Sequence, residues 1–140
     1  MRLRLSIPED FMTFEPSPED KAEARAMGIE PQFPPHTECI SMEHNGKVLA
    51  IGGNVGDQVW FVTAKGVWKL PKEDKQEFRR LIIMYRNVML ERYESIWNFV
   101  WVGNTSHIRF LKTIGAVFYN EYADPVTKQF QLFIIQRKEV

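Results

Sequence analysis

The sequence predicts an α+β domain in which helices flank both faces of a mixed, mostly antiparallel sheet. Residues 38–64 contain three short apolar segments joined by tight turns, a pattern that favours antiparallel strands. Two amphipathic helical segments follow, at residues 73–93 and 104–114, and each leads into another strand-like segment. Helical crossovers between strands of one sheet make that sheet mixed. The 140 residues fit a single domain, residues 1–140.

The first 35 residues predict a strand and two helices. Residues 2–7 alternate basic and apolar side chains, as an edge strand does, and Pro8 stops this strand before a short helix. Ser17 is a suitable N-cap for the second helix, because its hydroxyl accepts a hydrogen bond from a free amide of the first turn. This helix ends at Gly28, and an extended, proline-rich loop follows at residues 31–35.

The middle of the chain predicts a hairpin. Residues 38–43 and 47–53 are strand-like, and Asn45-Gly46 between them favours a tight type I′ turn. The remaining predicted strands are residues 58–64, 96–102, 116–122 and 129–136, the last two joined by a turn at 123–125.

Three aromatic residues alternate along the strand at residues 96–102. They are Trp97, Phe99 and Trp101. We interpret them as core residues of a central strand, because buried strands collect large apolar side chains. The alternative is a face that stacks on a ligand or docks a protein.

Cysteine and histidine are too few and too scattered for a disulfide framework or a metal site. Cys39 is the one cysteine, and we predict that it is a small buried residue. His36, His44 and His107 lack the spacing of metal ligands, so no metal is predicted. His107 and Arg109 are interpreted as solvated polar groups at a helix start, with contact to an anion or a thiolate as the alternative.

Charge is balanced over the chain but unevenly placed along it. Residues 1–57 have five Lys/Arg and ten Asp/Glu, whereas residues 58–140 have thirteen and eight. We favour mutual neutralisation within the domain over a bipolar surface. A neutral chain has no overall field that attracts nucleic acid, and no apolar run is long enough to span a membrane or to act as a secretion signal. A basic ridge, interpreted as a solvated face, consists of Lys65, Lys69, Lys72, Arg79 and Arg80.

Two stretches resemble the GNAT acetyltransferase superfamily. They are NTSHIRFLKTIGA at residues 104–116, where a glycine follows the asparagine by eleven residues, and the opening RLRLSIPEDF. The resemblance implies a GNAT-like fold and acetyl-CoA as the cofactor. The cofactor-binding residues that it implies are Val62, Thr63, Lys65 and Gly66, with Asn104 beside the reacting thiolate.

The segment at residues 63–71 departs from the glycine-rich turn of that superfamily, whose backbone amides cradle the pyrophosphate of CoA. Gly66 is the one glycine that remains, and Trp68 stands where a second small residue is needed. Pro71 has no N–H to donate. We therefore expect this turn to bind a diphosphate poorly.

A longer set of matches resembles the internal virion protein A family of teseptimavirus-like podophages. The matching segments are LAIGGN at 49–54, WFVT at 60–63, WVGNTSHIRFLKTIGAVF at 101–118 and FQLF at 130–133. The resemblance implies a protein of the short-tailed phage particle, made in the host cytoplasm and linked to the internal core, the DNA-ejection apparatus or the tail. Its implied partners are other virion or tail proteins.

We therefore predict a non-catalytic, acetyltransferase-like binding scaffold without a cofactor. The general-acid tyrosine of the GNAT superfamily corresponds here to Leu111, which has no proton to give. The alternative is an acetyl-CoA-dependent N-acetyltransferase acting on a host protein or a small amine. Its catalytic residues would be Asn104 and Tyr119, with Tyr122 as a substitute for the latter. A DNA-binding accessory protein is a third hypothesis, which rests on the basic ridge alone.

Overall fold

The computed structural model describes residues 1–28, 33–119 and 129–137. The strands in these ranges are β1 Arg2–Leu5, β2 Ile40–His44, β3 Lys47–Val55, β4 Gln58–Thr63, β5 Ser95–Trp101, β6 Val117–Tyr119 and β7 Phe130–Gln136. The α-helices are α1 Pro8–Thr13, α2 Pro18–Ala26, α3 Lys72–Arg92 and α4 Thr105–Thr113. The order of strands and helices is the predicted one, while the turn predicted at 123–125 lies outside the described residues.

The seven strands form one sheet in the order β1-β2-β3-β4-β5-β7-β6. Every neighbouring pair is antiparallel except β4 and β5, so the predicted mixed, mostly antiparallel sheet is confirmed. The parallel pair shares one register position, Gln58 opposite Trp97, and the two strands separate beyond it. This separation creates the candidate site described below.

The helices lie on both faces of the sheet. The crossovers from β4 to β5 and from β5 to β6 run in the same direction, which places α3 and α4 on one face. Phe78 of α3 and Phe110 of α4 are accordingly in contact, with ring centroids 5.6 Å apart. On the opposite face, Asp10 of α1 accepts a hydrogen bond of 2.8 Å from the Ser41 hydroxyl of β2.

Local sequence explains how several of these elements begin and turn. Asn45 and Gly46 adopt positive φ angles of 51° and 76°, as the predicted type I′ hairpin turn requires. The Ser17 hydroxyl accepts a hydrogen bond from the Asp20 amide at 3.3 Å, and so caps α2 as expected. The Asn104 side chain caps α4 in the same way.

The main core lies between the sheet and the α3–α4 face. Its fully buried side chains include Met42, Phe78, Met89, Val100 and Leu111. Cys39 is also fully buried, which confirms its prediction.

The core interpretation of the aromatic residues in β5 is wrong. Ile96 and Val100, each 2% exposed, point to the covered α3–α4 face. Trp97, Phe99 and Trp101 alternate with them and point to the opposite face, where Phe99 remains 44% exposed. Both faces of this strand are apolar in sequence, and the helices on the Ile96 side decide which face is buried.

Mutual neutralisation of the two halves of the chain is not achieved by direct contacts. Among the ion pairs of the described residues, only Lys65–Glu15 joins a lysine or arginine of residues 58–140 to a carboxylate of residues 1–57. Its atoms are 3.8 Å apart and both side chains are exposed, so the pair contributes little. Direct ion pairs therefore contribute little to the predicted neutralisation, which stays a prediction.

Candidate functional site between strands β4 and β5

The separation of β4 and β5 leaves a gap into which backbone groups point from both sides. Strand alternation directs the N–H and C=O groups of every second residue from Val59 to Thr63 toward β5. It likewise directs those of every second residue from Trp97 to Trp101 toward β4. In a regular parallel ladder these groups would bond to each other, so other partners are needed here.

Asn98 supplies partners at the narrow end of the gap. The last backbone bond of the strand pair runs from Trp97 N to Asp57 O, at 3.2 Å. Beyond it, the Asn98 side chain donates to Val59 O at 2.8 Å and accepts from Phe99 N at 2.7 Å. One amide side chain thus takes the place of a neighbouring strand.

A segment from the N-terminal part of the chain supplies partners at the wide end. Residues 15–17 form an antiparallel bridge beside β4, in the space that β5 has left. Ser17 N donates to Thr63 O at 2.8 Å, and Lys65 N donates to Glu15 O at 2.9 Å. The wide end of the β4 edge is therefore paired within the chain.

Two carboxylates of α2 complete the closure of the wide end. Asp20 accepts hydrogen bonds from the amide and the hydroxyl of Thr63, both at 2.8 Å, and from the Asn104 side chain at 2.9 Å. Glu23 accepts one from Trp101 N at 2.6 Å. Because Thr63 ends β4 and Trp101 ends β5, helix α2 bridges the ends of the two separated strands.

These contacts set the ionisation of both carboxyl groups. Burial alone would raise the pKa of Asp20, but His107, the Thr63 amide and the Asn104 side chain outweigh it and lower that pKa to about 2. Burial raises the pKa of Glu23, against the hydrogen bond from Trp101. The cluster therefore holds Asp20 as an anion.

His107 of α4 lies beside this cluster and is 7% exposed, so its interpretation as a solvated group is wrong. Its ring stacks on Phe61 with centroids 4.4 Å apart. Its Nδ1 atom is 3.8 Å from an Asp20 oxygen, which is too long for a hydrogen bond, and has no other partner in the described part of the chain. The imidazole is thus held by stacking on Phe61, with its Nδ1 atom near the Asp20 carboxylate.

A cavity of about 200 Å³ opens at the gap, and its lining extends from Glu23 of α2 and Asn98 of β5 to Arg86 of α3. The residues around it come from both faces of the sheet and are mostly apolar. They include Trp60, Phe61, Val62, Ile96, Val100, His107 and Leu111. Phe99 is the most exposed of the described residues that line the cavity, and so marks its opening.

The structure separates the residues that the sequence proposed for an acetyltransferase site. Val62 lines the cavity and Thr63 bonds to α2, but Tyr119 lines a different groove beside β6. Asn104 is 1% exposed, and its side chain bonds to Asp20 and to the His107 amide. The structure therefore does not bring Asn104 and Tyr119 together.

The turn after β4 packs into the protein. Gly66, with a φ of 89°, precedes a 3₁₀ turn at Val67–Lys69. Trp68 in this turn contacts Phe78 and Phe110, with centroids 6.0 and 5.4 Å away. Trp68 thus belongs to the aromatic core, while Lys65 beside it is exposed.

Sequence reasoning missed Asp20 and Glu23. Acidic residues in the first turns of a helix ordinarily complement the helix dipole, so Asp20 and Glu23 did not stand out in the sequence as residues of a site. No residue pattern in the sequence predicts that α2 contacts the ends of β4 and β5. That contact follows from tertiary packing.

The described residues contain no group of three or more His, Cys, Asp or Glu side chains that could hold a metal ion. Across the described ranges, no helix has the length and apolar character needed to cross a bilayer.

The sheet topology and the separated β4–β5 pair define a GNAT-like fold. The structure resembles an acetyltransferase from Agrobacterium tumefaciens, with a TM-score of 0.63 and 15% identity, over 96% of this chain and 90% of that one. It also resembles Ard1 from Thermoplasma volcanium, with a TM-score of 0.61 and 13% identity, over 99% and 98% of the two chains. At these identities the likeness establishes the fold alone, which confirms the predicted fold class.

The sequence comparisons identify a phage family. A family model described as bacteriophage T7, probable scaffold protein Gp13, matches residues 38–123. The probable scaffold protein gp13 of Escherichia phage T7 is 55% identical over 137 residues, which cover 98% of each chain. This protein belongs to the phage T7 Gp13 probable scaffold protein family. The expected phage origin is confirmed, whereas the description as internal virion protein A stays a prediction.

Proposed function

We propose that this protein is a non-catalytic binding scaffold that acts in the formation of a T7-like phage particle. The observation that carries the proposal is the pairing of residues 15–17 and Asp20 with the edge of β4. The GNAT resemblance assigns that edge, at Val62 and Thr63, to the pantetheine arm of the cofactor. Here the N–H and C=O of Thr63 both bond within the chain.

A cofactor would have to displace several contacts at this edge. A net loss of about 1 kcal/mol per hydrogen bond makes the displacement costly, and the bonds to the ionised Asp20 are stronger than average. The fold of an acyltransferase is thus retained while its cofactor edge is used to hold α2.

The turn after β4 supports the same conclusion. Three of its backbone amides are used inside the turn, because Val67 N donates to Ala64 O, Lys69 N to Gly66 O and Leu70 N to Val67 O. Pro71 has no amide proton. Few backbone donors are left for a diphosphate.

The family membership supplies the phage context. The relative in phage T7 is described as a probable scaffold protein. We propose that the partners are other proteins of the particle or its tail, and that the protein is made in the host cytoplasm and incorporated into the virion.

Two measurements test the proposal. Calorimetry and thermal unfolding with about 1 mM acetyl-CoA should show no binding heat and no stabilisation, since a ligand of the native state must raise its stability. Quantitative mass spectrometry of purified assembly intermediates and particles should find the protein at a constant ratio to the capsid protein. Saturable acetyl-CoA binding would favour the N-acetyltransferase alternative, and absence from every assembly intermediate and particle would overturn the scaffold.

A further inference from the structure

We infer that the cavity between β4 and β5 receives one apolar side chain of a partner protein, presented on an extended stretch of that partner's backbone. This inference rests on the proposed scaffold function and specifies the surface through which it acts.

The size of the cavity limits its occupant. Its volume is about 200 Å³, whereas sites for drug-sized ligands usually have about 300–1,000 Å³. A large cofactor does not fit, but one leucine- or phenylalanine-sized side chain does. The walls supplied by Phe61, Ile96, Val100 and Leu111 favour an apolar group. Glu23 and Arg86 also line the cavity, but each is hydrogen-bonded within the chain: Glu23 accepts from Trp101 N and Arg86 donates to Ile114 O.

The backbone beside the cavity favours an occupant attached to an extended main chain. Val59 O is bonded to Asn98, and both backbone groups of Thr63 are bonded to α2 or to the segment before it. Phe61 lies between them on β4, and its N–H and C=O point to the same gap. An extended peptide next to Phe61 would exchange hydrogen bonds with it as an added strand does.

The surface around the opening is apolar and aromatic. Phe99 is 44% exposed and contacts Trp97 edge to face, with centroids 5.9 Å apart. On this face of the sheet, residues paired across β5, β7 and β6 form three rows of uncharged side chains. The rows are Trp97, Ile134 and Val117; Phe99, Leu132 and Tyr119; and Trp101 with Phe130.

This surface distinguishes a protein partner from a small acyl compound. An acyl compound would fill the cavity but leave the aromatic rows in water. A partner protein that inserts one side chain would also cover Phe99 and Trp97, and aromatic residues around a pocket are typical of the energetic centre of an interface. The absence of charge in the rows favours an apolar partner surface over an acidic or a basic one.

The test titrates N-acetyl-leucinamide, which has one apolar side chain between two peptide groups, into the ¹⁵N-labelled protein. We expect saturable shifts of the Phe61 and Phe99 amide signals. N-acetyl-glycinamide, which lacks the side chain, should give no saturable shift. The same shifts with sodium butyrate would instead assign the cavity to an acyl group and overturn the inference.

A matched pair of variants connects the cavity to assembly. Val59→Phe fills the cavity from β4, whereas Val55→Phe adds the same side chain at a position of β3 that is 72% exposed and does not line the cavity. Val59→Phe should abolish the shifts and lower the protein content of particles by about tenfold, the effect of losing one anchoring side chain. Val55→Phe should change neither.

The outcomes separate this inference from the scaffold function. Normal binding and normal particle content of Val59→Phe would refute the inference, while wild-type protein in particles would still support the scaffold. If Val59→Phe does not fold, Phe99→Ser replaces it, because an exposed side chain is removable without opening the core. An unchanged particle content of a folded Phe99→Ser variant would also refute the inference.

Discussion

Asp20 connects three parts of the molecule through one carboxylate. It receives hydrogen bonds from Thr63 at the end of β4 and from Asn104 at the start of α4, and it belongs to α2 itself. A buried carboxylate with this many donors is stable as an anion. Asp20 therefore holds the closure of the gap in place.

The low pKa of Asp20 makes its contribution depend on pH. A folded pKa of about 2, below the ordinary value of 3.8, means that the carboxylate stabilises the fold above the ordinary pKa and loses this effect as pH falls toward 2. Asp20→Asn should cost about 2 kcal/mol near pH 7. Urea unfolding should show this difference shrinking between about pH 4 and pH 2.

The control for this prediction is Glu9→Gln, which neutralises an exposed carboxylate of α1. It should change stability by less than about 0.5 kcal/mol at every pH. A difference between wild type and Asp20→Asn that stays constant down to the lowest pH would contradict the ionic explanation.

Single-residue roles were the least predictable feature of the site. The capping roles of Ser17 and Asn104 could be predicted, because a cap depends on its own helix. The roles of Asp20, Glu23 and His107 depend on residues far away in the chain, so the local sequence does not predict those contacts.

At the level of elements, the turn after β4 is part of the core. Trp68 joins the 3₁₀ turn Val67–Lys69 to α3 and α4 through Phe78 and Phe110. The sequence correctly singled out Trp68 as unsuited to a phosphate-binding turn. The structure adds the reason for its presence, which is packing.

Removal of Trp68 should therefore harm stability without creating a cofactor site. Trp68→Ala should cost about 2 kcal/mol, below the range for a fully buried tryptophan because Trp68 is only half-buried. Calorimetry with acetyl-CoA should show no binding heat for the variant. The comparison variant Phe99→Ala, which alters an exposed aromatic residue, should cost less than about 1 kcal/mol. Acetyl-CoA binding gained by Trp68→Ala would contradict this view of the turn.

Element types were predictable because hydrophobic periodicity reports them directly. The helix predicted at residues 73–93 corresponds to α3 at Lys72–Arg92, and Asn45-Gly46 forms the predicted hairpin turn. The orientation of β5 was not predictable, since both of its faces are apolar and only the position of α3 and α4 decides between them.

At the level of the whole molecule, charge is unevenly distributed between the two parts of the chain. The excess of acid lies in residues 1–57 and the excess of base in residues 58–140. Among the described residues, the one Lys–Glu pair between these two parts is exposed. A neutral molecule with two such regions attracts other copies of itself when little salt is present.

This attraction is measurable by light scattering. The second virial coefficient should rise when NaCl is increased from about 20 mM to about 500 mM, because salt screens the attraction between unlike regions. Lys72→Gln with Lys75→Gln, which removes two exposed positive charges of α3, should weaken the dependence. A coefficient that falls with added salt would show that repulsion dominates instead.

The fold class and the order of the elements were predicted from sequence resemblance and hydrophobic pattern, and the structural comparisons confirm the fold class. The pairing of the β4 edge within the chain was not predicted. It depends on residues 15–17, whose sequence around Pro16 gives no sign that they would pair with β4.

The bridge that α2 makes across β4 and β5 has a consequence for synthesis on the ribosome. Asp20 and Asn104 are separated by 84 residues, and Glu23 and Trp101 by 78. A nascent chain that stops after β4 can form the contacts of Asp20 with Thr63, but it lacks Trp101 and Asn104, the partners from β5 and the start of α4. The first residues to be synthesised therefore make some of the last native contacts. The hydrogen bonds of Asp20 and Glu23 with Asn104 and Trp101 can form only after the residues up to Asn104 have been translated.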